Sequence, residues 1–191
     1  MPDVNEEHFL LVKRIMQFHN IWTVYFDFLD GRYVPSVGRK SADEVIDDST
    51  LTTEMGPTLM FLLYAFFFSL IEDSDDGLDA FRIWRKKYPG EGLAIAALEE
   101  QIVPLRPNLR VFRNRLGFHG SRTYQHESKG FDLFANHSGT KLIQAMKLFK
   151  ALNAALLEQN LAQQENSTER LKEARSRIDL IAERCRAMSQ L

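Results

Sequence analysis

Between Thr58 and Ile71 the chain runs Thr-Leu-Met-Phe-Leu-Leu-Tyr-Ala-Phe-Phe-Phe-Ser-Leu-Ile, 14 residues without one charge. A helix that crosses a membrane needs about 20 such residues, so this run is too short to span. It is also apolar on every side, so neighbouring elements must cover most of it. The segment therefore predicts the central, buried helix of a bundle. Pro57 suits the first turn of that helix, where a missing N–H costs nothing.

The rest of the chain supplies the cover. With 191 residues and 45% hydrophobic content, the sequence is long enough for one sizeable core. From about Val4 to Asp30, Phe9, Val12, Ile15, Met16, His19 and Trp22 recur at steps of three and four, which puts them on one helical face. Gly31 is a natural stop. Residues 32–53 have no clear periodicity and read as a long connection, with room for a short helix near Ala42 to Asp47. Asp76 is a candidate cap for a helix from Leu78 to Lys87, Gly92 to Val103 forms another, and Pro107 opens a third that continues past Phe112 until Gly117 weakens it. A long helix follows from about Thr140 to Leu161, broken by Gln163 to Ser167. In the last segment Leu171, Ala174, Ile178, Ile181, Cys185 and Met188 form a heptad-like seam. The expected fold is all-α: a helical bundle over 1–165, then a C-terminal amphipathic helix over 166–191 that packs on the bundle or on a second subunit.

Charge and cysteine content narrow the function. The formal net charge is -2, so any attraction to a polyanion must be local. It is local in residues 106–129, where Arg106, Arg110, Arg113, Arg115, Arg122 and Lys129 face one acid, Glu127. The single cysteine, Cys185, forms no intramolecular disulfide, and the first residues are acidic where a secretory signal would be basic, so a cytoplasmic location is expected. No histidines have paired metal spacing, and the acidic turn Glu72 to Gly77 lacks the ligands a calcium loop needs at Gly77 and Trp84. The expectation is no metal and no cofactor.

The residues able to carry chemistry are in Phe112-Arg113-Asn114-Arg115-Leu116-Gly117-Phe118-His119. In a straight helix Arg113 and His119 would stand about 120° apart in azimuth and about 9 Å apart along the axis. Gly117 can end the helix and let His119 turn back towards Arg113 and Asn114. Arg113 offers a permanent charge and a planar fork of donors suited to a phosphodiester, and Asn114 can orient a phosphate oxygen or the imidazole. His119 can move a proton near neutral pH. Such a set can cleave RNA without a metal: a base activates the ribose 2′-hydroxyl, that oxygen attacks the adjacent phosphate, and positive charge stabilises the oxyanion. Arg110, Arg115, Arg122 and Tyr124 are candidate substrate contacts, the tyrosine by stacking on an unpaired base.

At this point the chain resembles the HEPN superfamily, small helical bundles with an Arg-polar-x4-His signature at the end of a helix, matched by Arg113, Asn114 and His119. The order of an apolar helix, an acidic turn, the motif and a long helix resembles the abortive-infection branch, over roughly residues 4 to 160. The resemblance implies a metal-independent endoribonuclease that dimerises so that two motifs share one cleft, and that serves phage defence or a toxin–antitoxin pair. It assigns the phosphate to Arg113, base or acid catalysis to His119 and positioning to Asn114. It also admits a catalytically silent member that holds RNA, a nucleotide or a protein partner such as an antitoxin. A purely structural reading would rest on the C-terminal seam.

Overall fold

A computed structural model describes residues 3–30, 48–73, 77–112 and 139–188. The protein is an all-α helix bundle, and helices and turns are the only regular structure among the described residues. Helix α1 spans Val4–Leu29, α2 Asp48–Ile71, α3 Ala80–Lys87, α4 Gly92–Ile102, α5 Arg106–Phe112, α6 Gly139–Gln164 and α7 Thr168–Met188. None of these helices is long and apolar enough to cross a membrane.

The apolar run forms the inner part of α2, as its composition requires. Leu63, Tyr64, Ala65, Phe67, Phe68, Leu70 and Ile71 are buried, on more than one side of the helix, and α1, α3 and α5 all pack against it. The helix is already formed at Asp48, earlier than expected, and continues through Gly56 and Pro57. Proline inside a helix removes one backbone hydrogen bond, and here the packing of the following apolar turns outweighs that loss. Gly56 lies against α1: a Cβ at that position would stand 3.6 Å from the Phe28 ring.

Helix α1 buries Leu11, Ile15, Phe18 and Trp22, a 4-3-4 spacing that follows the helical period. This corrects the expected face. Phe9 and Met16 are 67% and 63% exposed and His19 is also exposed, because the stripe that meets α2 is rotated away from them. The inward rings meet at one centre. Phe149 of α6 contacts Phe18, Phe67, Phe81 and Trp84 with ring centroids 4.8 to 6.5 Å apart, most of them edge to face.

Helix α3 is capped by Asp79, whose carboxylate accepts from the N–H groups of Phe81 (2.9 Å) and Arg82 (3.4 Å). The cap therefore falls three residues after Asp76, which lies outside the described residues, and the helix starts at Ala80. Pro104 ends α4 through a short 3-10 turn, Val103–Leu105, that leads straight into α5.

Helices α6 and α7 form an antiparallel hairpin. Asn166 takes a positive φ of 53°, Ser167 N–H donates to the Ala162 carbonyl (2.9 Å), and Asn166 N–H donates to that of Gln163 (3.3 Å). This pair of bonds closes the C-terminus of α6 and turns the chain back. The heptad-like seam is used within the chain: Ala174, Ile178, Ile181 and Cys185 are buried, and α7 packs on α6 and α4.

Candidate functional site

Arg113, Asn114 and His119 lie outside the described residues, as do Arg115, Arg122 and Tyr124. The structure places Arg110 and the helix that leads into the motif. Pro107 occupies the first turn of α5, Leu109 is buried, and α5 packs on α2. Phe112, the residue before Arg113, thus lies on a helix anchored to the most apolar part of the bundle.

The charge of this corner follows from three side chains. Glu99 of α4 forms a close ion pair with Arg85 of α3. The same carboxylate stands 3.9 Å from Arg106 at the start of α5, beyond hydrogen-bond distance. Arg106 is largely buried, and neither its Nε nor its Nη2 has a hydrogen-bond partner among the described residues. One carboxylate serves two guanidiniums, so among the described residues the corner is net positive. Arg110 adds an exposed cation on α5.

A second site, unmarked by the sequence reading, lies in a groove between α1 and α6. It encloses about 480 Å³ and is walled by Ile15 and Met16 on one side and by Ala154 and Leu157 on the other. Its polar groups are His19 and Asn20 of α1 and Lys150 and Asn153 of α6. The Lys150 ammonium stands 4.6 Å from the centre of the Trp22 ring, a cation–π contact. Burial, and then the neighbouring Lys147, lowers its pKa. Burial, and then Lys150, likewise lowers that of His19. Asn153 is only 7% exposed, and its Oδ1 has no hydrogen-bond partner among the described residues.

The sequence offered little signal for this groove. His19 and Met16 have the spacing of core residues, and the opening between α1 and α6 is a tertiary property. Asn153, polar between Leu152 and Ala154, was the nearest to a local clue. No protein-family model, no curated protein and no solved structure matches this chain.

Proposed function

We propose that this chain is a HEPN-like, metal-independent endoribonuclease of a defence or toxin–antitoxin system, acting as a cytoplasmic homodimer. What carries the reading is the Arg-Asn-x4-His motif beginning at Arg113, next in sequence to the described residues of α5, in an all-helical bundle. The net positive corner at Arg106 and Arg110 supports a polyanionic ligand on this side of the motif.

In this reading Arg113 holds the scissile phosphate and Asn114 orients it. One His119 removes the proton of the ribose 2′-hydroxyl, whose oxygen attacks phosphorus. The P–O5′ bond breaks, and the leaving oxygen takes a proton from an acid, a role open to His119 of a second copy. The products are a 2′,3′-cyclic phosphate and a 5′-hydroxyl. DNA, without the 2′-hydroxyl, is spared.

The test is incubation of the purified protein with mixed-sequence RNA in chelator, with analysis of product ends and of mass in solution. Cleavage to cyclic phosphates by a dimer, lost in both His119→Ala and Arg113→Ala, is the expected outcome. RNA binding without cleavage would support a silent binding module instead, for which the same cations suffice.

A further inference from the structure

We propose that the groove between α1 and α6 binds a small amphipathic anion, an apolar body bearing one carboxylate, with Lys150 as its counter-charge. This is independent of the ribonuclease reading and uses none of its residues.

The volume argues for a small ligand. About 480 Å³ lies within the range of small-molecule pockets. Along α6 the lining runs from Lys150 to Leu157, two helical turns or about 10 Å. That length suits a medium aliphatic chain or a fused aromatic ring.

The charge argues for an anion. Among the described residues the groove is lined by one lysine and one histidine and by no carboxylate. Among the described residues no acid pairs with Lys150; its contact is the Trp22 ring. A half-buried ammonium that has lost part of its water gains more from a carboxylate than an exposed one does. The ring engages one face of the ammonium, and the hydrogens on its other side can meet an incoming acceptor.

The amide argues for a polar head among apolar walls. Asn153 is more than nine-tenths buried in the lining, and part of its hydrogen-bonding capacity is unfilled. A buried unpartnered amide atom costs about 1–3 kcal/mol, and a ligand or the water it carries would relieve that cost. Met16 supplies an adaptable apolar wall on the open side, since its thioether chain repacks readily.

Fluorescence of anilinonaphthalene sulfonate, an apolar ring with one anionic head, reads the site directly. It should bind saturably at one per chain and be displaced by decanoate at lower concentration than by decanol. Lys150→Met should weaken it about tenfold, the loss expected for one charge-assisted contact, while the uncharged phenylnaphthylamine binds as before. Ala154→Trp, at an exposed wall position, should block both dyes. Thermal melts of the two variants establish that each is folded. Absence of saturable binding to the wild type, or binding indifferent to both substitutions, would overturn the proposal. So would a concentration-dependent dimer that Met16→Glu dissociates and that leaves the groove closed to dye, because the occupant would then be a second copy.

Discussion

The Tyr88 hydroxyl lies 3.0 Å from His8 Nε2 and ties the end of α3 to the first turns of α1. Lys86 to Glu7 (3.3 Å) and Lys87 to Asn5 (2.9 Å) flank it, but both are exposed and contribute little. The central bond is partly buried. Burial, and then the Lys87 ammonium, holds His8 below its ordinary value, so the ring that shares this bond with the tyrosine hydroxyl is the neutral one.

That arrangement sets the pH dependence of stability. The unfolded chain takes up the His8 proton near pH 6.5 and the folded chain only at lower pH, so stability falls as pH drops below 6.5 and through the folded value. At the alkaline end burial pushes Tyr88 up to about 12 from 10.0, so its contribution is lost as pH rises between those values. Tyr88→Phe should cost about 1 kcal/mol at pH 7, roughly 2–4 °C in Tm. His8→Gln should remove its share of the acid-side slope. Thermal melts from pH 5 to 8 check both, and an unchanged profile in His8→Gln would place the acid sensitivity elsewhere.

The corrected face of α1 predicts a contrast between two phenylalanines. Phe18 is fully buried and touches Trp22, Phe67 and Phe149, whereas Phe9 is 67% exposed. Phe18→Ala should cost about 3–5 kcal/mol, and Phe9→Ala less than about 0.5 kcal/mol. Urea unfolding of the two variants measures the difference. Equal losses would mean that the α1 stripe faces the core as its apolar spacing first suggests.

These residues also show how far the sequence could be read. Periodicity located α1, the apolar run located α2, and Asn166 with its flanking polar residues marked the turn between α6 and α7. Each signal is local. Which side of α1 meets α2 is not local: Leu11 and Phe18, Phe9 and Met16 form two apolar stripes on one helix, and only the partner surfaces choose between them. The start of α2 was hidden for a related reason, since Pro57 is locally a helix opener and its tolerance inside α2 depends on packing further along. The Arg-Asn-x4-His motif was legible because its chemistry needs particular residue types at short spacing. The groove at Lys150 was not, because it joins residues more than a hundred positions apart.

Cys185 reports on the docking of α7. Its side chain is fully buried, and burial pushes the thiol up to about 11. At pH 8 only about a thousandth of it would be thiolate even if reached. A thiol reagent should therefore label the native protein far more slowly than the unfolded chain. Ile178→Asp, which places a charge in the same seam, should release α7 and bring labelling close to the unfolded rate. Rapid labelling of the native wild type would contradict the packing of α7 on α4 and α6.

Arg110 separates stability from ligand binding at the approach to the motif. It is exposed on α5, and no carboxylate among the described residues pairs with it. Arg110→Gln should thus leave unfolding unchanged within about 0.5 kcal/mol. If the net positive corner receives RNA, the variant should bind single strands more weakly, and the slope of log affinity against log salt should shrink by about 0.7, the value for one lost phosphate contact. The slope is the better readout, because it counts phosphate contacts whether or not the motif cleaves. Unchanged affinity and slope would remove Arg110 from the RNA-binding surface and leave the proposed substrate to Arg113 and the cations that follow it.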